Sequence, residues 1–111
     1  MAEARVKTAL WVSATLRAAN AAGQMGAVLR HGDDDAGGVL AVLRTREGLV
    51  VLTQTLTATG DHAWLRGTGP QAVDEAGADA YVNRQVARDP DLWVVEFETP
   101  DGVPPFSATI L

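Results

Sequence analysis

Arg30-His-Gly-Asp-Asp-Asp-Ala-Gly-Gly38 is an acidic, glycine-rich stretch between two apolar runs, Ala27–Leu29 and Val39–Leu43. Gly and Asp accept backbone angles that Val and Leu resist, so the stretch reads as a chain reversal and the two runs as arms of a β-hairpin. The other elements are placed outward from that hairpin.

Downstream, the β pattern continues through Gly26–Arg30, Gly38–Arg46, Leu49–Thr57 and Ala63–Arg66. Arg46-Glu-Gly48 and Thr59-Gly-Asp-His62 supply the reversals between them. Links this short force antiparallel neighbours, hence a meander of three or four strands. Val39–Leu43 and Leu49–Leu52 are nearly continuous apolar runs, as expected where a sheet is covered on both faces. Upstream, residues 5–22 carry two periods at once. A short strand over Val6–Trp11 is expected to lead into an Ala-rich helix from about Val12, with Gly23 as its left-handed stop.

Gly67-Thr-Gly-Pro70 marks a return to helix over Asp74–Asp89. Asp74 and Glu75 in its first turn and Arg84 and Arg88 in its last complement the helix dipole, and Pro90 enforces the stop. Ala78, Tyr81, Val82, Gln85 and Val86 form its inward stripe. Leu92–Glu98 is the clearest strand, with Trp93, Val95 and Phe97 on its core face. Residues 103–111 form a tail that docks through Phe106, Ile110 and Leu111. The fold class is therefore α+β: a mostly antiparallel meander sheet, an N-terminal helix and a second helix before the last long strand. The alternative is a small bent barrel of Sm-like outline, since an N-terminal helix feeding a curved meander is that outline too.

A chain of 111 residues fits a single domain, 1–111, because a second would have no core. With 47% hydrophobic and 21% charged residues it is expected to pack rather than stay disordered. The absence of cysteine removes disulfides, thiolate zinc sites and Cys nucleophiles. No apolar segment is long enough for a signal peptide or a membrane span, so a cytoplasmic location and no membrane partner are expected. A net charge of −5 opposes general polyanion binding. Eight of the nine basic residues are Arg, which reads as codon bias rather than nucleic-acid chemistry.

Candidate chemistry is sparse. Asp33, Asp34 and Asp35 are consecutive, whereas calcium loops need acids at alternate positions and a bidentate Glu at the twelfth, which here is Arg44. His31 and His62 both fall in turns, and His62 beside Asp61 is the one local acid–base pair. Ser13 and Ser107 lack a nucleophile elbow, and no glycine motif cradles a phosphate. No catalytic residue, metal or cofactor is assigned. Trp93 is expected in the core, and Trp64, on a short strand near turns, at the surface. If their strands are neighbours, Arg44, Arg46 and Arg66 make a cationic strip beside Trp64, the minimal platform for stacking single-stranded nucleic acid or docking a partner.

Three segments, Lys7-Thr-Ala-Leu-Trp-Val-Ser-Ala-Thr-Leu-Arg17, Ala27–Leu40 and Tyr81-Val-Asn-Arg-Gln-Val-Ala-Arg-Asp-Pro-Asp-Leu-Trp-Val-Val-Glu96, resemble an uncharacterised family of small alphaproteobacterial proteins classed only as a domain of unknown function. The resemblance implies one cytoplasmic domain and carries no site residues. The function expected is a non-enzymatic interaction or structural module, with a homodimer through a sheet edge or the apolar tail as its simplest form. The alternatives are RNA or single-stranded nucleic-acid binding by an Sm-like domain through Arg44, Arg46, Trp64 and Arg66, and a small enzyme with a site near His62 and Asp61.

Overall fold

Runs of β-branched and leucine residues separate into five strands, and Ala-rich and capped segments into two helices. The computed structural model describes residues 7–111. In chain order the elements are α1 (Thr8–Ala21), β1 (Gly26–Arg30), β2 (Val39–Thr45), β3 (Gly48–Leu56), β4 (His62–Arg66), α2 (Glu75–Arg88) and β5 (Trp93–Glu98). The strands form one open sheet in the order β1-β5-β2-β3-β4. The fold is α+β and mostly antiparallel, and because the sheet does not close, the Sm-like barrel is set aside.

The expected hairpin at Arg30–Gly38 does not form. β5 lies between its two arms, antiparallel to β1 (Gly26↔Phe97, Val28↔Val95) and parallel to β2 (Val39↔Trp93 through Arg44↔Glu98). Burial explains the exchange. β5 is apolar on both faces, with Trp93, Val94, Val95 and Phe97 each at most 3% exposed, so it gains most in the sheet interior. In β1 no residue is fully buried, so that strand takes the edge. The rest of the expected meander, β2-β3-β4, forms with antiparallel registers running from Leu40↔Thr53 and from Leu52↔Arg66.

The loop from His31 to Gly38 crosses the entry to β5 instead of turning on itself. Asp33 N–H donates to the Asp91 carbonyl (2.9 Å), Trp93 Nε1–H donates to the Asp33 carbonyl (2.8 Å), and the His31 ring lies 4.0 Å from the Trp93 ring. The same loop caps α1, whose Thr8 and Ala9 N–H groups donate to the carbonyls of Asp35 and Asp34. Those first-turn donors need a partner, and finding one makes Thr8–Trp11 helical rather than the strand expected there. Val6 lies outside the described residues. At the other end Gly23 has φ +80, and the N–H groups of Gly23 and Gln24 close onto Asn20 and Ala19, the anticipated stop.

Each face of the sheet has its own cover. On one, α1 brings Val12 and Ala19 onto Val39, Ala41, Leu43, Leu52, Val95 and Phe97. Phe106 of the tail joins there, its ring 5.0 Å from Trp64, 5.4 Å from Trp11 and 5.8 Å from Phe97. On the other, α2 packs Ala78, Tyr81, Val82 and Val86 over Leu40, Val42, Val51 and Val94. Its N-cap is Asp74, whose carboxylate accepts the Gly77 N–H at 2.8 Å. The tail is led in by a tight turn in which the Val103 N–H, and then the Thr99 hydroxyl, hold the Asp101 carboxyl below its ordinary value.

Candidate functional site

A concavity follows from how α2 sits. Its inward stripe covers β3 and part of β2, leaving beside it, above β1, β5 and the rest of β2, a groove of about 430 Å³. Val42, Val94 and Glu96 form the floor. The helix wall carries Glu75, Asp79 and Asn83, which recur at helical spacing next to the inward stripe, together with Val86 at the edge of that stripe. The opposite wall is Leu29 and Arg30.

A bulge builds that second wall. Ala27 pairs with Glu96 and Arg30 with Val94, so one extra residue is accommodated between Val28 and Arg30. Without it Arg30, three residues beyond Ala27, would face α1. With it Arg30 shares the α2 face. Leu29 is left 56% exposed at the groove rim.

Two arginines sit in the groove in opposite circumstances. Arg44 is doubly paired, its Nε 2.7 Å from Glu96 and an Nη 2.5 Å from Glu75. Glu75 first and then Glu96 hold its guanidinium above its ordinary pKa. Arg30 donates from one Nη to the Pro90 carbonyl at 2.9 Å, its Nε is buried without a partner, and no carboxylate among the described residues lies within ion-pair distance of it. Arg44→Ala is expected to cost about 1–2 kcal/mol. The exposed ion pair itself contributes below about 1 kcal/mol, and the remainder is the penalty for stranding Glu96, whose side chain is 22% exposed. Glu75→Gln leaves no comparable group behind and should cost under about 0.5 kcal/mol, both variants being compared by urea titration.

The residues singled out from sequence are dispersed. Arg44 lines the groove, Arg46 sits exposed beyond the end of β2, and Trp64 and Arg66 belong to the α1 face, where Arg66 donates to the Gly69 and Pro70 carbonyls. Trp64 is 4% exposed rather than at the surface, because Trp11 and Phe106 cover its ring and the Thr109 carbonyl and Leu111 N–H take its backbone. His62 and Asp61 are both exposed, and Asp61 accepts from Thr59 with no hydrogen bond to His62 among the described residues. Asp33 accepts the N–H groups of Asp35 and Ala36, Asp34 meets His31 at 2.6 Å, and no group of three His, Asp or Glu side chains among the described residues gathers around a metal position. Sequence reasoning missed Leu29, Arg30 and Asp79. The one local signal was Glu75, Asp79 and Asn83, a polar row flanking an apolar stripe.

The architecture is thus a small α+β domain with an open sheet, covered on both faces, and a groove with charged walls on one of them. The sequence profile described as "Protein of unknown function (DUF1491)" matches residues 6–107, and the chain belongs to that family. A DUF1491 family protein from Caulobacter crescentus CB15, known from a crystal structure, is 32% identical, with a TM-score of 0.84 over 96% of this chain and 100% of that one. An NMR structure of a DUF1491 family protein from the same organism is 30% identical, with a TM-score of 0.84 over 98% and 99%. A protein from A. tumefaciens, known in solution, shares the fold at 24% identity and a TM-score of 0.77, over 97% and 98%. The curated proteins contain no match. No helix of the described residues is long and apolar enough to cross a membrane.

Proposed function

We propose that this protein is a non-enzymatic cytoplasmic interaction module whose groove beside α2 takes an apolar, basic segment of a protein partner. The carrying observation is the pairing of an apolar lining, Val42, Val94, Val86 and Leu29, with an acidic helix wall in which Glu75 is held by Arg44 and Asp79 has no ion-pair partner among the described residues. Such a wall attracts Lys and Arg side chains, as does the net charge of −5. Self-association by strand pairing is less well supported, because both sheet edges are blunted. β1 carries the bulge, and its Gly26 N–H is taken by the Asn20 side chain at 3.1 Å. On β4 the tail occupies Trp64.

Titrating the ¹⁵N-labelled chain with an amidated peptide of alternating leucine and lysine tests this reading, with a leucine–glutamate peptide as control. Amide shifts should concentrate at Leu29, Val82, Val86 and Val94, favour the lysine peptide, and weaken at least about tenfold in Asp79→Lys. Shifts spread over the whole surface, or equal for both peptides, would remove the proposal.

A further inference from the structure

We infer that the groove recognises the C-terminal end of its partner segment, the terminal carboxylate pairing with Arg30 and a basic side chain about three residues earlier pairing with Asp79. This rests on the docking function proposed above and adds the chemistry at the two ends of the bound segment.

Three observations lead there. First, the groove's charges are unevenly matched. Arg44 has two carboxylates, whereas Arg30 and Asp79 have no ion-pair partner among the described residues. Second, Arg30 is the one side chain of the described residues with a buried polar atom lacking a hydrogen bond, its Nε. Orphaned buried donors are rare because leaving one dry is costly, and a guanidinium held by a single carbonyl contact can turn to present Nε and an Nη together to a carboxylate. Third, Arg30 stands at one end of the groove. Its hydrogen bond to the Pro90 carbonyl places the guanidinium beside the loop between α2 and β5, past the last helical residue of the lining, Val86. A terminal carboxylate ends its chain there, whereas an internal Asp or Glu would have to carry its main chain onward past that loop.

The spacing sets the register. Asp79 and Val86 are seven helical residues apart, about 10 Å along α2. Arg30 donates to the Pro90 carbonyl, just beyond the C-terminal end of α2, so the cationic end lies at least as far along the helix from Asp79 as Val86 does. An extended chain covers that length in about three residues. The partner therefore ends in a basic residue followed by about three apolar ones, whose side chains meet Leu29, Val86 and Val94.

The test uses the full chain, ¹⁵N-labelled, and acetyl-Lys-Leu-Val-Leu as the free acid, as its C-terminal amide, and as a free acid with Glu in place of Lys. The free acid should shift the Arg30 Nε–H resonance and bind at least about tenfold tighter than either other peptide. In Arg30→Gln the acid and amide should bind equally, and in Asp79→Asn the Lys and Glu peptides should, with the remaining amide resonances of both variants unmoved as evidence of folding. Equal affinity of acid and amide for the unmodified chain, with shifts still confined to Val82, Val86 and Val94, overturns the C-terminal inference and leaves the docking function standing. No groove shifts from any peptide, including the longer leucine–lysine one, overturns both.

Discussion

Gly32→Ala and Gly37→Ala should each lower the free energy of unfolding by about 3 kcal/mol or more, a large part of the roughly 5–15 kcal/mol a domain of this size has to lose. A methyl group at Gly32 would lie 2.2 Å from the Asp91 carbonyl oxygen and 2.6 Å from both the Leu92 carbonyl carbon and the Trp93 ring. At Gly37 it would lie 2.4 Å from the same Asp91 oxygen and within 3.0 Å of the Asp33 backbone. Apart from the Trp93 ring, these obstacles are main chain. Asp91 is itself held by the Asp33 N–H, so neither side can retreat without breaking the contacts that seat the loop over β5 and against the first turn of α1. Neither glycine has a positive φ, so backbone freedom is not the reason for them. Gly60→Ala supplies the contrast: φ there is +85 with nothing within 4 Å of the added carbon, and about 1 kcal/mol of left-handed strain is the whole expected cost. Urea unfolding of the three variants decides the matter. If Gly32→Ala and Gly37→Ala cost no more than Gly60→Ala, the close approach of loop and strand is wrong.

The same loop marks where the sequence could be read and where it could not. Gly and Asp between apolar runs signalled a departure from strand geometry correctly, but the signal is local, and what fills the space beneath the loop begins at Trp93, 60 residues after Asp33. Nothing within Arg30–Gly38 encodes that distance. α2 was legible to within a residue because its determinants are neighbours: Asp74 caps it, Arg88 ends it and Pro90 prevents its continuation. The strand pairs β2–β3 and β3–β4 were legible for the same reason, their turns being short. Trp64 was misjudged because its own surroundings are turns, while its cover comes from Trp11 and Phe106, 53 and 42 positions away. The groove failed to appear for a third reason. Its walls, α2 and a bulged β1, become neighbours only once β5 has inserted beside β1, and the bulge that turns Arg30 toward α2 has no marker in Val28-Leu29-Arg30.

Phe97→Ala should be the costliest side-chain truncation, about 4 kcal/mol. The ring is 0% exposed and lies where three otherwise separate pieces meet: Leu16 of α1, Gly26 of β1 and Phe106 of the tail. The strands on either side of it, at Gly26 and Leu43, are held by the sheet and cannot move inward to fill the vacated space, so the transfer loss and the cavity cost add. Gly26 makes the prediction specific. A methyl group there would sit 3.0 Å from the Phe97 ring and 2.7 Å from a terminal carbon of Leu16, so Gly26→Ala alone should cost about 1–2 kcal/mol by overpacking. Once the ring is gone that methyl has room and fills part of the cavity, with Leu16 free to turn aside. The double variant should therefore be at least as stable as Phe97→Ala alone, a coupling of about 1–2 kcal/mol in a double-mutant cycle. Strictly additive costs, or a Phe97→Ala variant losing less than about 2 kcal/mol, would mean that β1 and the tail do not close over this ring, and β1 would then lack the packing that holds it beside β5 as the outer wall of the groove.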